Sequence, residues 1–279
     1  MSELNDPNYW DNALARYEAM AAPFTSLFAE VSLALIDIGH ETRVLDVACG
    51  TGALARAASS RGARVVAIDF APAMVNRVRA LGDPKIEAHV MNGEALDLPD
   101  ESFDITASIF GVMLFPNWRA GLREMARVTR AGGLGVLATW KEPDGAAINL
   151  LLADVRRFLF PGAPLPPPPS GMAALRTPDS IVSEMAAAGF TDIVVKHVTH
   201  DFGLRLSVLD DAEHFFTMLP LWTELETAPQ DAVIAETPRG EQTDKWRAEH
   251  PVHRADRRCA AAIAGEQGCG RQCLVFCVT

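Results

Sequence analysis

The sequence predicts a doubly wound α/β fold, a mostly parallel sheet covered by helices on both faces. The first observation is alternation: from residue 43 to residue 141, apolar runs of strand length take turns with helical runs, and the short connections leave no room for hairpins. The second is the segment Arg43-Val44-Leu45-Asp46-Val47-Ala48-Cys49-Gly50-Thr51-Gly52, a strand that breaks into a glycine turn and enters the helical run Ala53 to Arg61. With 279 residues and 49% hydrophobic content, the chain can bury a sizeable core.

Ahead of the sheet, Trp10, Leu14, Tyr17, Phe24, Phe28 and Val31 recur at helical spacing between Tyr9 and Ile36, predicting an amphipathic cover in two parts broken near Pro23. The first strand ends at the glycine turn, where a ligand can touch bare backbone and the next helix offers its leading N–H groups. Gly50-Thr51-Gly52-Ala53-Leu54-Ala55 satisfies the dinucleotide pattern G-x-G-x-x-G/A. Asp46 points to another ligand class. A carboxylate at the end of a buried strand is costly unless paired, and it suits a cationic group better than a pyrophosphate. The second strand, Arg64 to Asp69, ends in an acid 17 positions past Gly52, about where nucleoside-binding α/β proteins hold both ribose hydroxyls. Asp69 can alternatively cap the helix that begins near Pro72.

A loop from Val90 to Ser102 precedes the strand Phe103 to Phe110 and the apolar segment Gly111 to Trp118. The helix Arg119 to Thr129 is expected to stop at Arg130-Ala131-Gly132-Gly133, and Leu134 to Trp140 forms the fifth strand. Pro161, Pro164 and Pro166 to Pro169 then predict an extended cover. Thr177-Pro178-Asp179 starts a capped helix to Ala188, stopped by Gly189. Asp192 to Phe202 reads as the sixth strand, and Leu209 to Trp222 as a helical lid.

The pattern Asp46-x-Ala48-x-Gly50-x-Gly52 closely resembles the first motif of class I S-adenosylmethionine-dependent methyltransferases, whose ligand carries an ammonium and a sulfonium. Met91-Asn92-Gly93-Glu94 and the following Leu96-Asp97-Leu98-Pro99 to Ser102-Phe103-Asp104 resemble that family's adenine loop, shortened and lacking one Phe. Phe110-Gly111-Val112-Met113-Leu114-Phe115-Pro116-Asn117 is similar to a segment that lies over the transfer cleft in its small-molecule branch. Four landmarks in the family's order cover about the first half of the chain.

The resemblance implies S-adenosylmethionine as cofactor and S-adenosylhomocysteine as product. Asp46, Ala48, Gly50, Thr51 and Gly52 are then expected at the methionine end, with Asp69 on the ribose and Phe70 and Met74 against the adenine or in the core. Asn92 would accept from the adenine amino group, in place of the family's usual Asp, and Gly93 would offer its N–H to a ring nitrogen. Glu94 belongs to the same loop and reads as a solvated residue of it. Phe110 faces the cleft, and Tyr17 reaches the cofactor carboxylate or substrate, or else packs in the core. The family often has Ser where Ala71 stands, so one helix cap is missing. The implied fold is Rossmann-like, with seven strands, the last antiparallel and supplied by Cys273 to Val278.

Five segments follow: a helical cover (1–40), the cofactor-binding core (41–141), a Pro-rich insertion (142–176), the rest of the core with a substrate cap (177–238), and an atypical Cys-containing tail (239–279). In the tail, seven basic and five acidic groups make it net positive, and Cys259, Cys269, Cys273 and Cys277 match no trusted zinc spacing, so no metal is expected. A tail changed by a shift of reading frame is the other reading of this segment.

A net charge of −11, with 21 Arg and 4 Lys, argues against nucleic acid as substrate. No secretory signal or membrane-length apolar run is visible, so a cytoplasmic monomer or homodimer acting on a small molecule is expected. None of the seven histidines sits in a motif that names it as a base, and no catalytic residue is assigned. Two rival classes remain. A nicotinamide-dependent oxidoreductase of the short-chain type would need Tyr-x-x-x-Lys, which neither Tyr9 nor Tyr17 supplies. A non-catalytic S-adenosylmethionine-binding regulator is the other.

Overall fold

The computed structural model describes residues 5–141, 169–198 and 271–278. Strands β1 (Arg43–Val47), β2 (Arg64–Asp69), β3 (Ile86–Val90), β4 (Phe103–Ile109), β5 (Thr129–Trp140), β6 (Thr191–Val198) and β7 (Gln272–Val278) form one sheet in the order β3-β2-β1-β4-β5-β7-β6. Helices α1 (Pro7–Asn12), α2 (Leu14–Ala34), α3 (Ala53–Ser60), α4 (Pro72–Arg79), α5 (Trp118–Val128), α6 (Ser170–Ala174) and α7 (Pro178–Ala188) accompany it. Successive strand residues point to opposite faces, yet Val44, Leu45, Asp46 and Val47 are all buried. Both faces of the central strands are therefore covered, as a parallel sheet requires. Chain order reverses beside β1: β2 and β3 lie on one side of it, and β4 on the other.

The expectation of an antiparallel last strand does not hold. β7 runs parallel to both β5 and β6, with Gly135 opposite Cys273 and Val195 opposite Val275. An antiparallel neighbour follows naturally from a hairpin, but residues 199–271 separate β6 from β7, ample chain to return to the starting edge and enter in the same direction. Arg271 ties that entry down, donating from Nε to the Thr129 carbonyl at 2.7 Å and pairing with Glu101 at 2.9 Å.

Three further boundaries differ from expectation. α2 continues through Pro23, and the cover breaks at Ala13 instead. The Thr25 and Ser26 hydroxyls donate to the Ala22 carbonyl, and Phe24, Phe28 and Leu33 pack the same helix onto the core, so packing outweighs the proline defect. Gly132 and Gly133 do not stop α5. β5 already begins at Thr129, and the glycines absorb a register shift opposite Phe103 and Ile105, with Gly132 at φ +71°. The cover expected to be extended through residue 176 contains the short helix α6. The predicted cap of α7 forms as read, with Thr177 Oγ1 accepting from Ser180 N at 3.3 Å and Gly189 left-handed at φ +110°. The remainder of the Pro-rich insertion, the lid at 209–222, Cys259 and Cys269 lie outside the described residues.

Among the described residues, no helix is long and apolar enough to cross a membrane. Gly135 on β5 leaves room for the ring of Phe190, whose nearest carbon stands 2.4 Å from where a Cβ would be. Gly135→Val is expected to destabilise the protein by about 1–3 kcal/mol through overpacking, measured as a lower urea midpoint at unchanged slope. An unchanged midpoint would contradict this packing.

Candidate active site

Where chain order reverses across a parallel sheet, adjacent loops leave in opposite directions and open a crevice at the strands' carboxyl ends. Here that crevice lies between β1 and β4. Both strand ends are tightly bent: Ala48 has φ +56° and Phe110 φ +60°, a conformation costly for side-chain-bearing residues. The bends touch. A Cβ on Gly111 would stand 2.4 Å from the Cβ of Ala48, so only glycine lets the two crests close.

The glycine turn is built around Asp46 and Asp69. Asp46, 2% exposed, accepts from Ala55 N at 3.1 Å and so caps the first turn of α3 from beneath. Gly50 and Gly52, at φ +52° and +83°, make the turn. Asp69, 7% exposed, accepts from Gly50 N at 2.9 Å and from Ala71 N at 3.0 Å. One carboxylate thus braces the turn and the entry to α4 together, and the cap reading of Asp69 is part of its role. Burial pushes Asp46 up to about 7, which the Ala55 bond opposes and the charge of Asp69 reinforces. Burial also raises Asp69, against its backbone bonds.

Tyr17 comes down from α2 onto this turn. Its hydroxyl would lie 2.6 Å from a Cβ on Gly50, and burial pushes its pKa up to about 12. Thr51 is buried and borders a crevice shared with Glu18, Arg56 and Arg77, where Glu18 and Arg77 form an ion pair between α2 and α4. Asp11, which sequence reasoning missed, accepts from Ala73 N at 2.8 Å. It supplies from α1 the cap that α4 lacks at Ala71, and no local pattern around Asp11 announces it.

Met74 is buried on α4 and Phe70 is half-buried beside it. Asn92 Oδ1 accepts from Glu94 N at 2.9 Å, shaping a tight turn after β3. Gly93 packs so closely that a Cβ would stand 2.7 Å from the Phe115 ring. Glu94 is not merely a solvated loop residue. Its Oε1 accepts from Asn117 N at 2.6 Å, at the start of α5, because that helix end has N–H groups to satisfy.

Phe110 joins an aromatic cluster over the ends of β4 and β5. It stacks on Trp140 at 4.5 Å and on Phe24 at 5.1 Å, while Phe24 stacks on Trp140 at 5.0 Å and Phe28 meets Phe110 edge-on. Sequence reasoning did not single out Trp140; its place at the end of β5, as Phe110 follows β4, is the signal that could have found it.

The donor set fits a cationic amino-acid nucleoside. A buried carboxylate with no cation bonded to it among the described residues stands below the turn, a second acid stands one strand away, and bare glycine backbone lies between them. Comparison with known proteins agrees. A methyltransferase domain model matches residues 44–133. An uncharacterized protein of Mycobacterium tuberculosis is 32% identical over 164 residues, 57% of this chain and 58% of that protein. A demethylmenaquinone methyltransferase of Thermus thermophilus is 33% identical over 164 residues, covering 53% of this chain and 74% of that enzyme. One from Mycobacterium sp. (strain KMS) is 39% identical over 123 residues, 43% and 51% of the two chains. The chain thus spans a little over half the length of its mycobacterial relatives. It belongs to the class I S-adenosylmethionine-dependent methyltransferase family, whose cofactor its glycine turn and paired acids suit.

Proposed function

We propose that the protein moves the methyl group of S-adenosylmethionine to an oxygen, nitrogen or carbon atom of a small-molecule acceptor. The observation that carries this is the buried pair Asp46 and Asp69 around a glycine turn at the sheet's reversal point. When bound, the cofactor supplies a methyl group on a sulfonium, already a good electrophile. The protein's work is then alignment and exclusion of water. Asp46, with Ala48, Gly50, Thr51 and Gly52 around it, holds the methionine ammonium, directly or through water, and Tyr17 reaches its carboxylate. Asp69 accepts from the ribose hydroxyls with lone pairs its backbone bonds leave open. Phe70 and Met74 flank the adenine, Asn92 and Gly93 bond its edge, and Glu94 holds that loop against α5.

Phe110, Phe24 and Trp140 form an apolar wall beside the transfer point, suited to a flat apolar acceptor. Relatives named demethylmenaquinone methyltransferases support a small acceptor of this character. The net charge of −11 speaks against a nucleic acid. Residues 1–40 act as a cover on the 41–141 core, and the protein works as a monomer or homodimer in the cytoplasm.

Calorimetric titration tests the reading. S-adenosylhomocysteine is expected to bind and NAD not to, and Asp69→Ala to weaken the former about 100-fold, as for two lost hydrogen bonds to a charged group. Binding of NAD alone would replace the proposal with the oxidoreductase. Label from methyl-labelled cofactor should enter a metabolite pool; tight binding without any transfer would indicate a regulator instead.

Asp46 makes the site pH-sensitive. Its folded pKa lies above the unfolded value, so the folded state holds the extra proton between them, and unliganded stability falls as pH climbs from about 4 to about 7. Asp46→Asn is expected to gain melting temperature over wild type across that range and to keep a constant lead above it. Ligand affinity should behave oppositely, rising from pH 6 to pH 8 with proton release in wild type and staying flat in Asp46→Asn. A flat wild-type profile would remove Asp46 from the ammonium site.

A further inference from the structure

The turn carrying Asn92 and Gly93 belongs to a loop without regular structure, residues 91–102, so its position must come from anchors. One anchor is Gly93 itself, packed against Phe115. A second is Glu94, which accepts from Asn117 N at the start of α5, and others come from the far end of that helix. Arg127 donates from Nη2 to the Leu96 carbonyl at 3.0 Å and from Nη1 to the Leu98 carbonyl at 2.8 Å. The same guanidinium bonds Asp100 at 2.5 Å and both oxygens of Glu124, at 2.9 and 2.7 Å. Glu124 in turn accepts from Leu96 N at 2.7 Å, and the Arg127 carbonyl accepts from Glu101 N at 3.0 Å. Three residues of the loop, Leu96, Leu98 and Asp100, thus bond one planar group whose orientation Glu124 fixes.

We propose that Arg127, oriented by Glu124, is a positioning residue for base recognition: it holds the loop so that Asn92 and Gly93 meet the adenine edge in register. Arg127 touches no cofactor itself. A guanidinium suits the task because its donors form a rigid fork, whereas a lysine ammonium is a point charge that cannot span two carbonyls and two carboxylates together. The inference rests on the reading of Asn92 and Gly93 as adenine contacts, and the test separates the two.

S-adenosylhomocysteine and its purine analogue, in which hydrogen replaces the 6-amino group and every ring nitrogen stays an acceptor, are titrated calorimetrically into wild type, Asn92→Ala and Arg127→Met. Wild type is expected to prefer the adenosyl ligand about tenfold, the worth of one hydrogen bond, and both variants to bring that ratio close to one. If Asn92→Ala loses the preference while Arg127→Met keeps it, the clamp is overturned and the adenine loop stands. If Asn92→Ala keeps the preference, the loop reading falls and the clamp with it. A lower melting temperature of Arg127→Met, with both ligands weakened by the same factor, marks a merely structural arginine and also overturns the proposal. Should Arg127→Met not fold, Arg127→Lys, which keeps the charge and loses the fork, is expected to show the same collapse of the ratio.

Discussion

Two carboxylates buried at the crest of a parallel sheet, with no cation bonded to either among the described residues, are the constraint around which the rest of this molecule is arranged. Taking an ionised carboxylate out of water costs several kcal/mol unless something compensates. Here backbone N–H groups make part of the compensation: Ala55 bonds Asp46, while Gly50 and Ala71 bond Asp69. These bonds fold the turn, set the start of α3 and brace the entry to α4. Burial still holds both acids above the usual carboxylate range. A fold that keeps such groups keeps a site in which a positively charged ligand is worth more than it would be at the surface.

The same constraint reaches the N-terminal helices. Asp11 reaches Ala73 at the head of α4, close enough to Asp69 for its charge to raise that group further. Glu18 pairs with Arg77 one turn along α4, and Tyr17, between them on the chain, lies over Gly50. The cover is therefore stitched to the second acid's helix and centred on the glycine turn. Its other end carries Phe24 and Phe28 into the aromatic cluster at β4 and β5, where each stacked pair adds about 0.5–1.5 kcal/mol beyond its burial. One continuous helix thus spans both halves of the candidate site, which is why packing carries it through Pro23.

What the sequence by itself determined was whatever depends on neighbours along the chain. Period and alternation are local, so the order of strands and helices through β5, the left-handed glycines at 50 and 52, and the Thr177 cap with its Gly189 stop were all legible. So were Asp46 and Asp69, because an acid ending an apolar run is conspicuous without any knowledge of its partners. Tertiary structure alone decided what depends on residues distant in sequence: the parallel entry of β7, the glycine pair absorbed into β5, the cap that Asp11 lends α4, the bond from Asn117 to Glu94, and the grip of Arg127 on a loop about thirty positions earlier. Each joins a side chain or strand to backbone groups whose need for a partner is general, and only the folded geometry selects which donor or acceptor arrives to meet it.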